Sequence, residues 1–370
     1  MEAHWIETTE ALAEALGAVG AGPLAVDLEA DSFHHFREKV CLVQLAFGGR
    51  DFLVDPLAGA ALSPLRPLLR TPAVRKVMHG ADYDLRLLGR DHGLAVRGVF
   101  DTMIAARLTG ERAFGLAALL EKHLQVTLDK SHQRADWSRR PLSAAMAAYA
   151  VEDTRHLTTL AERLSARLAE LGRTEWAEEE FRRLESVRWS EVPDPEPWRR
   201  IKGASALDRR GLAALREVAV AREALARERD LPLFRVVRDE TVLELARRRP
   251  RDPRELAEVP GIPRPFLSGP AGRAMLDAIA RALALPEDEL PEIRRGERVR
   301  LRPEFEERVK RLREARDRVG AALDLDPVLL APRGTLEAVA TQQEAGAPVQ
   351  EVSELRSWQA ELLLPAWQGL

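Results

Sequence analysis

The sequence is poor in the residues that staple or anchor a chain. It has a single cysteine, Cys41, so no internal disulfide can form. No apolar run approaches the length of a membrane span. The opening "MEAHWIETTEALAEALG" has neither a basic start nor an apolar stretch behind it, so no secretory signal is expected. These absences point to the cytoplasm and away from a membrane partner, and no obligate protein partner is evident. Nucleotide-binding loops are missing too: no GxGxxG follows a strand, and neither GxxxxGKS nor GxxxxGKT occurs. His34, His35 and Glu38 stand close together, but no cysteine or further histidine lies at zinc-ligand spacing, so they read as a polar loop.

Net charge is also scarce, at −3 from 56 basic and 59 acidic residues. Only six of the basic residues are lysine, and so much arginine beside alanine and leucine reads as base composition rather than selection for phosphate binding. The balance does not exclude nucleic acid, because acidic proline-rich segments alternate with arginine-rich ones such as "ARRRPRDPREL".

At 370 residues the chain exceeds what one hydrophobic core organises, and two or three domains are expected. After a first helix, strand-like runs occur at "PLAVDLEA", "VCLVQLAF", "DFLVD", "RKVMH" and "VRGVFDT". The first three follow closely enough for a meander, and the last two come after helical crossovers and should lie parallel, which implies an α/β layer with a mixed sheet. Pro141 to Gly172 reads as one long helix. The acidic "EVPDPEPW" then reads as a linker, and everything after Trp198 is helical in pattern. That half holds a repeat: "AREALARERDL" matches "ARDRVGAALDL", and "TVLELA" matches "TLEAVA" at the same offset.

Three segments carry carboxylates in unusual settings. In "AVDLEA", Asp27 and Glu29 alternate with Leu28 and share one face of a strand. Inside a covered sheet their charge would be costly without a cation; on an edge strand the same face would simply be wet. In the long helix, Leu142, Met146, Tyr149, Asp153, Leu157, Leu160, Leu164 and Leu168 recur at spacings of three and four, so Asp153 sits inside an apolar stripe with Tyr149 one turn before it. In "VMHGADYDLRLL" a strand runs into a helix, with Asp82 or Asp84 near the helix start; a capping role suits Asp82. Four carboxylates from three segments suit two divalent cations, Mg²⁺ or Mn²⁺, in phosphodiester hydrolysis, with Tyr149 orienting the water.

These segments resemble the ribonuclease D family of the DEDD superfamily of 3′-5′ exonucleases. "VDLEADSFHHFREKVCLVQL" is similar to its first motif, "MHGADYDLRLL" to its second and "YAVED" to its third, with "VFDTMIAARL" and "TLDKSHQRADWSRRPLS" between. The resemblance implies an RNase H-like fold and assigns Asp27, Glu29, Asp84 and Asp153 as metal ligands, Asp84 because it follows His79 by five residues. Tyr149 in the third motif implies the tyrosine branch. The helical repeats resemble HRDC modules, named for helicase and RNase D C-terminal domains. The expected layout is an exonuclease domain over 1–185, a linker over 186–204, a first HRDC domain over 205–288, a linker over 289–299 and a second, divergent HRDC-like domain over 300–370.

The implied activity is metal-dependent trimming of RNA 3′ ends, those of tRNA precursors and other small structured RNAs, with release of nucleoside 5′-monophosphates. Its substrate contacts would come from His79, Lys130, Trp137, Arg139 and Arg140, with Trp137 stacking on a base or merely packing. A DNA 3′-5′ exonuclease and a non-catalytic RNA-binding scaffold are the alternatives.

Overall fold

The computed structural model describes residues 3–20, 22–129, 131–189, 196–292, 303–344 and 355–370. They form two compact units, one drawn from Met1–Ala30, Lys39–Trp189 and Leu301–Leu370, the other from Asp31–Glu38 and Ser190–Arg300.

The first unit is built on a sheet of β1 (His4–Ile6), β2 (Leu24–Ala30), β3 (Val40–Phe47), β4 (Arg50–Val54), β5 (Lys76–Met78) and β6 (Val99–Asp101). The strand order is β1-β4-β3-β2-β5-β6. As the spacing of the runs predicts, β2, β3 and β4 form an antiparallel meander, while β5 is parallel to β2 and β6 to β5. β1, parallel to β4, is an addition: three residues are too few to show a period-two pattern. β2 is interior, and each of its faces meets a different core. Leu24, Val26 and Leu28 join the one that includes Leu45 and Phe52, and Ala25 joins the one that includes Val77 and Phe100. A wet edge strand is thereby excluded.

The helices of this region are α1 (Thr9–Leu16), α2 (Leu65–Arg70), α3 (Asp82–His92), α4 (Thr102–Leu108), α5 (Leu116–Leu124), α6 (Ala144–Arg155), α7 (Leu157–Glu170) and α8 (Thr174–Leu184). The single helix expected from Pro141 to Gly172 is instead two. Ser143 caps α6 by accepting from Met146 N, and His156 separates α6 from α7. The two halves serve different cores: α6 packs on β2, β3 and β4, whereas α7 packs on α4, α5 and β5.

The second unit contains α9 (Arg209–Arg229), α10 (Leu233–Val236), α11 (Asp239–Arg248), α12 (Pro253–Ala257) and α13 (Pro270–Ala284). Part of each segment read as a linker is packed. Trp198, Ile201, Ala204 and Leu290 are buried in this unit's core because they are apolar and adjoin α9 and α13 in the chain, and Val187 and Trp189 pack on the first unit. Residues 190–195 and 293–300 lie outside the described residues. The polar loop Asp31–Glu38 belongs to this second unit. His35 Nδ1 lies 2.6 Å from Asp230 Oδ2, Phe36 N donates to Asp230 Oδ1, and Arg235 donates to His34 Nδ1.

The helices α14 (Pro303–Leu323), α15 (Pro327–Leu330), α16 (Arg333–Glu344) and α17 (Ser357–Trp367) return to the first unit. The repeat seen in the sequence is visible in detail: Arg222 and Arg316 occupy matching places, both buried, and each donates to a carbonyl fifteen residues on, Val237 O and Ala331 O. The second copy does not pack by itself. Phe305, Leu312 and Leu363 share one core with Leu119, Leu160 and Phe181. Arg173 joins the ends of α4 and α14 through Leu108 O and Leu323 O, at 2.7 and 2.6 Å. Glu179 accepts from Ser357 N and Trp358 N at the start of α17.

Candidate metal centre

The site forms where β2 leaves its parallel neighbour. Register with β5 covers Leu24 and Ala25 only, so Asp27 and Glu29, on the same face as Ala25, lie past the paired stretch, next to the point where the chain after β5 turns into α3. That is the C-terminal edge of the parallel strands, where α/β sheets keep their ligands. α6 brings Tyr149 and Asp153 on one helical face. Asp27, Glu29 and Asp153 each offer an oxygen within 4.8 Å of the others. Asp84, in the first turn of α3, stands outside that group, yet its charge acts on both Asp27 and Glu29.

The electrostatics fit a cation. Burial first, and then the charges of Asp84, Asp153 and Glu29, push the Asp27 carboxyl well above the usual range. Burial with Asp153 and Asp84 raises Glu29 to about 9. Burial and Asp101 raise Asp84 to about 8, and Asp153 rises to about 7, mainly by burial, against the lowering effect of its hydrogen bond with Tyr149. Four carboxyls that resist joint ionisation are an all-oxygen donor set of the kind taken by Mg²⁺, Mn²⁺ or Ca²⁺. The Tyr149 hydroxyl is likewise raised, by burial and the carboxylates around it, so it stays protonated and donates to Asp153.

This arrangement makes stability depend on pH, with a definite sign. In the folded, metal-free protein Glu29 keeps its proton up to about 9, against an ordinary 4.5 in the unfolded chain. The folded state therefore holds the extra proton, and stability falls as pH rises from 4.5 through 9. Glu29→Gln should match the parent in urea unfolding near pH 4 and exceed it increasingly toward pH 9. A pH-independent difference between the two would contradict the shift.

Asp101 is a contributor that sequence reasoning missed. Buried at the end of β6, it accepts from Ala81 N with one oxygen and from Met103 N and Ile104 N with the other, so it fixes the starts of α3 and α4 together. The signal was present, an aspartate directly before a helix in "VFDT". Asp82 does not cap α3 as expected: Ala81 holds that position, and Asp82, the first helical residue, pairs with Arg86. His79 is held by Thr102, whose hydroxyl lies 2.8 Å from Nδ1, and burial lowers its pKa.

Two of the residues expected to touch substrate have other work. Trp137 is 1% exposed, so it offers no face to a base, and it packs with ring centroids 5.9 Å from Tyr149. Arg140 spends all five of its N–H donors inside the protein, on Asp55, Cys41 O, Trp137 O and Arg139 O. Arg139 is mostly exposed and pairs with Asp136. Lys130 lies outside the described residues.

Comparison with known proteins accords with this geometry. A family model described as 3′-5′ exonuclease matches residues 3–169, and an HRDC domain model matches 211–279. A curated ribonuclease D from Jannaschia sp. is 35% identical over 332 residues, covering 87% of this chain and 86% of that one. The chain belongs to the ribonuclease D family. The Escherichia coli ribonuclease D is 31% identical, with 100% of this chain and 98% of that one covered. Its crystal structure, described as that of an exoribonuclease involved in structured RNA processing, superposes with a TM-score of 0.76 at 30% identity over 99% of this chain and 98% of that one. Membership makes this protein a hydrolase, a 3′-5′ exoribonuclease, with an RNase H-like catalytic domain and an HRDC region. Among the described residues, no helix is long and apolar enough to cross a membrane.

Proposed function

We propose that this exoribonuclease trims the 3′ ends of tRNA precursors and other small structured RNAs in the cytoplasm, releasing nucleoside 5′-monophosphates. The observation that carries the reading is the convergence of Asp27, Glu29 and Asp153 within 4.8 Å, with Asp84 beside them. These four carboxylates would hold two divalent cations, Mg²⁺ or Mn²⁺. The chemistry supplied there is activation of a water and stabilisation of the departing 3′ oxygen. Tyr149, kept protonated, cannot serve as the base; its hydroxyl orients the water that attacks phosphorus as the bond to the 3′ oxygen breaks. The half-buried His79 and the exposed Arg139 are the substrate contacts we retain among the described residues, Arg139 exchanging Asp136 for a phosphate.

The test uses matched RNA and DNA oligonucleotides and a 3′-extended tRNA precursor, with Mg²⁺ or Mn²⁺ present and then chelated. Stepwise shortening of the precursor to nucleoside 5′-monophosphates, faster on RNA than on DNA and absent after chelation, is expected. Equal or faster cleavage of DNA would favour the DNA-exonuclease reading, and RNA binding without shortening would favour a scaffold.

A further inference from the structure

Gln44 is 0% exposed, and neither its Nε2 nor its Oε1 has a hydrogen-bond partner. Buried side-chain amides are nearly always bonded, so two orphaned atoms on one residue call for an explanation. Packing does not provide it. Gln44 lies on β3 between Leu42 and Ala46 of the same strand face, and its register partner on β4 is Leu53. Leucine or methionine would fill such a place without leaving polar atoms unbonded.

The register on the other side is different. Across the antiparallel β2–β3 pair, Gln44 stands directly opposite Asp27. Directly opposed residues project from the same face with their Cβ atoms roughly 5 Å apart, within reach of a glutamine side chain. Of its two register partners, only Asp27 can accept a hydrogen bond.

We propose that Gln44 is a positioning residue of the metal centre: unbonded in the metal-free chain, its Nε2–H donates to the Asp27 carboxylate once a cation holds that carboxylate ionised, and so fixes its orientation toward the cation. The inference rests on the metal-site reading above. Ligating carboxylates are themselves usually hydrogen-bonded, and the outer partner sets their orientation. A neutral amide suits the task. It supplies a donor without cancelling negative charge that the cation requires, as lysine or arginine would.

The test is Gln44→Leu, with Gln44→Met as a second variant of similar length, read by calorimetric titration of the metal-free protein with Mn²⁺ and by urea unfolding of the metal-free protein. A positioning role predicts opposite signs: Mn²⁺ affinity falls about 10- to 100-fold, while the metal-free variants unfold at the same or a higher urea concentration because two unbonded buried atoms are gone. Unchanged Mn²⁺ affinity in both variants would overturn the inference. So would a lower urea midpoint in both, or failure of both to fold, since either would give Gln44 a structural task. If the parent itself binds no Mn²⁺, the metal-site reading fails first; a parent that binds and variants that bind equally sink the role of Gln44 alone.

Discussion

Asp27→Asn is expected to reduce Mg²⁺- or Mn²⁺-dependent RNA hydrolysis by about 10³-fold or more while making the metal-free protein more resistant to urea at pH 7. The two effects have one origin. The carboxylate is held in a buried place beside Asp84, Asp153 and Glu29, all of which oppose its ionisation. The unfolded chain carries it ionised at pH 7, whereas in the folded chain burial and the neighbouring carboxylates favour its protonated form, so folding works against the solution preference of the group. Asparagine has the same shape and no such conflict. What it loses is the charge that holds a cation, whose stabilisation of the transition state is worth several kcal/mol; a loss of about 4 kcal/mol corresponds to about 10³ in rate. Asp82→Asn is the control, because Asp82 is exposed and pairs only with Arg86 among the described contacts. Full activity in Asp27→Asn would remove this carboxylate from the mechanism. A large loss in Asp82→Asn as well would mean that activity responds to removal of a carboxylate outside the ligand set, and the Asp27 result would no longer single out the metal centre.

The parts of this site legible in the sequence are those fixed by local spacing. Asp27 and Glu29 share a strand face because they are two residues apart, and Tyr149 and Asp153 share a helix face because they are four apart. The meander was legible for the same reason. What escaped depends on partners distant in the chain. The break at His156 goes with a change of neighbours, α6 packing on β2, β3 and β4 and α7 on α4, α5 and β5, and the spacing of three and four runs across it unchanged. The last helices read as a separate domain because their pattern repeats that of α9 to α11. What ties them to the nuclease core is tertiary, a shared apolar cluster with contacts such as Arg173 to Leu323 O and Glu179 to Ser357 N. Gln44 looks like an ordinary polar residue in an apolar strand until register puts it opposite Asp27. Arginine is the least legible of all, since Arg139 and Arg140 are neighbours with the same chemistry, yet one side chain is 81% exposed and the other 26%, with all its donors bonded to the protein.

That contrast yields the largest stability effect we expect. Asp55 is 2% exposed, and besides accepting from Leu57 N and Ala58 N it receives two bonds from the Arg140 guanidinium. The remaining donors of Arg140 tie Trp137 O and Arg139 O to Cys41 O of β3, so one side chain clasps the loop that carries Trp137 against Tyr149. Asp55 is the buried partner, the Arg140 side chain being 26% exposed, and removing the guanidinium strands the Asp55 charge, which costs up to about 3 kcal/mol, the low end for a buried pair. Arg140→Ala should therefore lower the urea midpoint sharply, whereas Arg139→Ala, which loses only an exposed pair with Asp136, should change stability by about 1 kcal/mol or less. Arg140→Lys should not restore the parent, because an ammonium cannot reproduce two parallel bonds to Asp55 together with three carbonyl bonds. RNA binding measured across a salt series separates this role from a phosphate contact. A contact would reduce the salt slope by about one and leave the urea midpoint alone. The clasp predicts the reverse, an unchanged slope in the protein that remains folded and a large fall in the midpoint.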